Sequence, residues 1–236
     1  MDLYSKLEVL DRIYKIYDAF TDSLELACQR YCSTCCTRNV IITSIEGYKI
    51  ADHLIENGKS ELFKKIKDES YKKRFRPIIT TNKIANLCIQ GKELPDEEID
   101  SSWGNCPLLI NDECPIYMVR PFNCRCMVSK TNCVDKAEMD PFVLTVNNVF
   151  LQYIEHIDQR GFSGNFTDVL LFMESEDNRK NYSMEVLKEI GKDLIKNMPM
   201  PLLLVPPEHK QQIKPIINSL QTIKVRRKPK YKPRKI

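Results

Sequence analysis

The chain has 236 residues, 42% of them hydrophobic and 29% charged, with a formal net charge of +4. That length and balance support a folded chain with a sizeable core, as one large or two small domains, and exclude wholesale disorder. No apolar run is long enough to span a membrane. The seven glycines form neither G-x-G-x-x-G nor G-x-x-x-x-G-K-[ST], which argues against a nucleotide-binding loop of either kind.

The charge is unevenly spread. Ten of the 36 basic residues follow Glu208, where no acid occurs, so the part up to Glu208 holds 26 basic against 32 acidic residues, a net of −6. The body is mildly acidic and the tail strongly basic. The start, MDLYSKLEVLDR, lacks the basic and apolar regions of a signal peptide, so a cytoplasmic, reducing location is expected. In that compartment ten cysteines suit metal ligation or reactive thiols better than disulfides.

In chain order, Leu3, Leu7, Leu10, Tyr14, Tyr17, Leu24 and Cys28 follow alternating steps of three and four, with Thr21 as the one polar break between Tyr17 and Leu24. This predicts a helix over 2–30 that delivers Cys28 at the end of its apolar stripe. Val40–Thr43 is β-prone. Thr43 or Ser44 then caps a helix that stops near Gly58. Ser60 opens another, ended by Pro77, and Asn82 caps a third, with Ile84, Leu87 and Cys88 on one face. Residues 92–105 read as an acidic loop, and 106–133, broken by Pro107, Pro115 and Pro121, as irregular. Pro141 opens a long helix to about Gln159, and Gly161–Asn165 is a turn. Helices follow at Phe166–Glu174 and Ser183–Asn197, with Ser183 as N-cap, and a last one over 207–220. The KVRRKPKYKPRK tail has no apolar period and is expected to be disordered.

The chemistry lies in the cysteines. Cys28, Cys32, Cys35 and Cys36 fall within nine residues, and Cys106, Cys114, Cys124, Cys126 and Cys133 answer them from far along the chain. Thiols at this density are soft ligands for zinc or for an iron–sulfur cluster, each of which takes four donors. The three histidines, His53, His156 and His209, are scattered, so a metal site must rely on sulfur. Neighbouring Cys35 and Cys36 point apart, so they serve two sites or different corners of a larger cluster; the division of thiols between sites stays open. Cys126 and Cys133 read as ligands or spare thiols, and Cys88 reads as a small core hydrophobe. Arg120 and Arg125 flank Cys124. They would either offset thiolate charge or pair with an acidic helix such as that starting at Glu46.

Cys32-Ser-Thr-Cys35-Cys36 followed by VIITSIEGYKIA resembles the opening of the CxxCxxCC (YkgJ-like) cysteine-cluster family. The likeness returns at Cys106-Pro-Leu-Leu, at Cys114-Pro-Ile-Tyr117, and at Arg120-Pro121-Phe-Asn-Cys124-Arg125. It covers roughly 28–133. Cys28 and Cys32 have three residues between them where the family has two, so Cys28 departs from the family's pattern. The resemblance implies a zinc- or iron-chelating domain. Through the cysteine cluster of flagellin lysine-N-methylase it also implies an iron–sulfur centre.

The expected protein is thus mainly α, a helical domain around an irregular cysteine-rich metal-binding core. The expected division is 1–135 for the cysteine-cluster domain, 136–221 for a helical part packed on it and 222–236 for the basic tail. The expected function is binding of an iron–sulfur cluster, such as the 4Fe-4S type, or of Zn2+, in a structural or redox role. Two alternatives are a protein-modifying transferase like the methylase, and an interaction module. The latter would bind nucleic acid or an acidic protein partner through its basic tail, with nucleic acid confined to the tail and Tyr231 available for stacking.

Overall fold

The computed structural model describes residues 1–29, 31–134, 136–187 and 189–224. The expected disorder of the basic tail falls beyond residue 224 and so lies outside the described residues. Nine α-helices are present among the described residues, with one small sheet. None of these helices is long and apolar enough to cross a membrane.

Helix α1 spans Leu3–Thr21 and is capped by the Asp2 side chain, which accepts from Ser5 N at 2.8 Å. Its stripe of Leu10, Ile13, Tyr14 and Tyr17 is buried as the spacing predicts. It stops nine residues before the end expected at 30. Thr21 Oγ1 donates to the carbonyls of Tyr17 and Asp18, and Ser23 Oγ to that of Phe20. Polar side chains that bond the local backbone in this way compete with the next helical turn. Cys28 therefore stands in a loop and is exposed, a correction to its expected place at a buried helix end.

Strand β1 (Ile41–Thr43) leads directly into α2 (Ser44–Glu56). Glu46 sits in the first turn, where its carboxylate Oε2 accepts from Thr43 N and Oγ1, each at 2.9 Å. The same buried carboxylate accepts from Tyr14 Oη at 2.8 Å and Phe122 N at 2.7 Å. One residue thus ties α1, α2 and the second cysteine stretch together. Helix α3 (Glu61–Asp68) is shorter than expected, and α4 (Thr81–Ile89) is capped by Thr80 rather than Asn82. Asn82 is buried instead, with its N–H on Glu155 Oε2 and its amide on the carbonyls of Gln152 and Met198. Cys88 is exposed, so its assignment to the core is also corrected. The pairing of Asn82 with the rest of the chain fixes the inner face of α4, and this leaves Cys88 on the outside.

The second cysteine stretch holds only a 3₁₀ turn at Tyr117–Val119 and the four-residue α5 (Phe122–Arg125), as irregular as its prolines imply. Helix α6 (Pro141–Ile157) opens with Asp140 as N-cap and packs on α1. Tyr17 meets Phe122 and Phe150 edge-on at 4.7 and 5.1 Å, while Phe122 and Phe150 stack at 5.5 Å. Residues from both sides of 135 share this core.

The expected turn at Gly161–Asn165 is a central strand, β2 (Phe162–Asn165), every residue of which is buried. It pairs antiparallel with β1 on one side and with β3 (Leu194–Lys196) on the other. Helix α7 spans Phe166–Glu174 as predicted, and α8 (Glu176–Ser183) follows with Ser175 as its N-cap. The helix expected over Ser183–Asn197 is absent among the described residues. Ser183 ends α8, Glu185 turns the chain at φ 56°, and β3 fills the sheet edge. Helix α9 (Lys210–Gln221) closes the described chain.

A Cβ added to Gly161 would collide with Ser44 Oγ and with both Asp158 carboxylate oxygens. Gly161→Ala is expected to lower stability by about 1–3 kcal/mol through overpacking, read as a fall in the midpoint of thermal unfolding.

Candidate metal centre

The two cysteine stretches are clamped by a short antiparallel ladder. Thr37 and Asn105 form a bridge, Cys106 N donates to Cys36 O at 2.8 Å, and Arg38 N donates to Gly104 O at 3.1 Å. Ser33 Oγ adds a hydrogen bond to Asp112 Oδ1 at 2.5 Å. Ala27 N donates to Ser129 O at 2.9 Å, and Ser129 N points at Cys28 Sγ from 3.3 Å. Residues in the left-handed region make the loop turns, Tyr31 at φ 70° on one side and Asn111 and Asp112 at 49° and 61° on the other.

This arrangement brings Cys28, Cys32, Cys35, Cys36, Cys106, Cys114, Cys124 and Cys133 to the wall of one cavity of about 150 Å³. Eight of the nine candidate thiols thus converge from separate parts of the chain. The ninth, Cys126, is set apart in the hydrophobic core, where it is 5% exposed and its thiol donates to Asn123 O at 3.6 Å. All three histidines are engaged elsewhere. His53 Nδ1 meets Asn57, His156 Nδ1 accepts from Met200 N, and His209 Nδ1 meets Thr145 Oγ1. Among the described residues, no group of three Cys, His, Asp or Glu side chains is already drawn together to hold an ion. The donor set itself fits zinc or iron–sulfur chemistry, being all thiol and at least four in number.

Burial and crowding act on these thiols together. Burial is the main cause that raises Cys28, with the charges of Cys133, Cys35 and Cys32 adding to it, while the Ser129 N–H lowers it. Cys124 is pushed up by burial and then by Cys106, Cys114, Cys126 and Cys35. Cys35 is raised by its hydrogen bond with Cys36, then by burial and by the Cys36 charge, so the two neighbouring thiols meet on one wall and do not point apart as expected. Burial pushes Cys106 up to about 11 and also raises Cys114. The thiols fall into an outer group of Cys28, Cys32 and Cys133 and an inner group of Cys106, Cys114 and Cys124, with Cys35 felt by both. Without a cation the raised thiols stay protonated at neutral pH, which makes them poor nucleophiles.

The two arginines divide the roles weighed for them. Arg125 also borders the cavity but is held by structural partners. It pairs with Asp18 Oδ1 at 3.3 Å, donates to the carbonyls of Arg120 and Met118, and lies over the Tyr14 ring. Its partner is thus Asp18 on α1, not Glu46. Arg120 stacks 3.9 Å from the Tyr117 ring centroid, borders the cavity, and its charge lowers both Cys35 and Cys114. Sequence reasoning missed Arg38 beside Cys106, and the aromatic and thioether wall of Tyr31 and Met127. Nothing marks such residues in one dimension, apart from their place next to cysteines.

No family model, no curated protein and no solved structure matches the chain.

Proposed function

We propose that the protein binds metal through this cavity, as an iron–sulfur cluster or as zinc, with Cys28, Cys32, Cys35, Cys36, Cys106, Cys114, Cys124 and Cys133 as the donor set. The observation that carries the reading is the convergence of eight thiols on one cavity of about 150 Å³. A water molecule occupies about 30 Å³ of liquid, so the space is several times that of one ion and suits a cluster or two ions. The resemblance to the CxxCxxCC family points the same way. Bound metal would neutralise thiolates whose mutual repulsion otherwise opposes ionisation, and Arg120 would share in that compensation. Its role is structural at the least, because the 106–133 stretch has few hydrogen-bonded repeats of its own.

Anaerobic purification followed by a visible spectrum and by metal and acid-labile sulfide analysis on one sample tests this. Broad visible absorption with iron and sulfide identifies the cluster, and a colourless sample with stoichiometric zinc identifies a zinc scaffold. A sample with neither metal, which also fails to take up zinc or iron with sulfide in vitro, overturns the proposal.

Metal binding must release the protons held by the raised thiols. Affinity is therefore expected to rise with pH across the neutral range and to fall on acidification, measured by competition with a chelator at a series of pH values.

A further inference from the structure

Beside the cysteine cavity lies a second, more open one of about 580 Å³, bordered by Arg38, Lys65, Lys72, Trp103, Asn105 and Asn111. Cys106, Leu109 and Asp112 border both cavities. Its cations are only partly answered. Glu69 Oε2 serves two of them, accepting from Arg38 Nη2 at 2.8 Å and pairing with Lys72 Nζ at 3.2 Å. Lys65 Nζ donates to a neutral acceptor, Leu109 O, at 3.0 Å. Asp112, the other acid of the border, accepts from Ser33. Three cations thus face two carboxylates.

Arg38 is the pointed feature. Its side chain is 5% exposed, and its buried Nε–H has no acceptor among the described residues. Buried donors are nearly always satisfied, and the Nε edge of a guanidinium is shaped to meet an oxyanion. Gly104, at φ 112°, faces that edge, and a Cβ there would stand 3.2 Å from Nε. Only glycine adopts this backbone freely and leaves that position without a side chain.

We propose that this second cavity binds a small oxyanion, the phosphate or carboxylate group of a ligand, through Arg38, Lys65 and Lys72. The site goes beyond the metal reading and does not depend on it. It would hold the anionic end of a ligand next to the shared Cys106 wall.

Trp103 is the only tryptophan and itself borders this cavity, so its emission reports on it. The test titrates the full chain with inorganic phosphate, and in a parallel arm with acetate, at matched ionic strength, reading fluorescence and heat. The expected result is saturable binding in at least one arm; the stronger arm identifies the chemistry. Lys65→Met and Lys72→Met should each weaken it about tenfold, and Arg38→Met should abolish it. Lys72 is 40% exposed, so its replacement leaves folding intact even if loss of Arg38 does not. Lys72→Met should keep full metal content while oxyanion binding weakens, which separates failure of this site from failure of the metal centre. Absence of saturable binding in both arms, or unchanged affinity in both lysine variants, overturns the proposal.

Discussion

Cys35→Ser and Cys124→Ser are each expected to lose bound metal and to melt far below the parent protein. Cys35 is the thiol felt by both groups, and Cys124 is partly buried and feels the charges of Cys106, Cys114, Cys126 and Cys35. Serine keeps the shape but is a poor ligand for a soft metal. The effect should be large because the stretch from Cys106 to Cys133 contains only a 3₁₀ turn and one four-residue helix. Structural zinc commonly supplies about 10 kcal/mol or more of apparent binding energy in small domains. Cys88→Ser, on an exposed site, and Cys126→Ser, away from the cavity, should both keep full metal content. Elemental analysis with thermal unfolding on the same samples decides the matter. Full metal and unchanged stability in both Cys35→Ser and Cys124→Ser would sink the ligand set.

The second large effect is expected at Asp158, far from any cysteine in function. This carboxylate is fully buried. It accepts from Ser44 Oγ at 2.5 Å, from Ile45 N at 2.9 Å and from Tyr182 Oη at 2.7 Å, with Lys6 Nζ at 3.9 Å. It joins the start of α2, the end of α6 and the end of α8. Asp158→Ala would strand those partners in the interior, and a loss of about 3–5 kcal/mol is expected in denaturant unfolding. Burial pushes the Asp158 carboxyl up to about 6, although Ser44, Tyr182, Lys6 and Ile45 N all pull it down. A carboxyl raised on folding contributes stability that is fully present below its unfolded value, about 3.9, and is lost as pH rises through about 6. The loss across that window amounts to about 3 kcal/mol. Asp158→Asn removes the titration, so its stability should change less between about pH 4 and pH 7 than that of the parent. An identical pH profile in the two proteins would rule out Asp158 as the source.

Much of the helical frame is legible from spacing and punctuation. Helix α6 starts at Pro141 behind Asp140, α7 spans the predicted Phe166–Glu174, and α2 begins after Thr43 with Glu46 in its first turn. These segments combine a local start signal with an apolar stripe, and both are properties of neighbours in sequence. The end of α1 is not legible, because the stripe continues past it through Leu24 and Cys28 while the hydrogen bonds of Thr21 and Ser23 stop the helix. The strand at Phe162–Asn165 reads as a turn in one dimension because Ser163, Gly164 and Asn165 carry no strand preference. Partners on both sides and full burial make it a strand.

The candidate site divides in the same way. Nine cysteines in two dense stretches, with no histidine near them, are enough to name the candidate donor atoms and to expect the stretches to meet. Number and type of thiol are local facts of composition. Which thiols share a wall, that Cys126 turns into the core, that Arg120 faces the thiols while Arg125 holds Asp18, and that Arg38 is left with an unanswered donor are decided only in three dimensions. The physical reason is that a thiol, a guanidinium or a carboxylate takes its role from what surrounds it. For this chain those surroundings come from residues dozens of positions away, brought close by the ladder between 36–38 and 104–106 and by the carboxylates of Glu46 and Asp158.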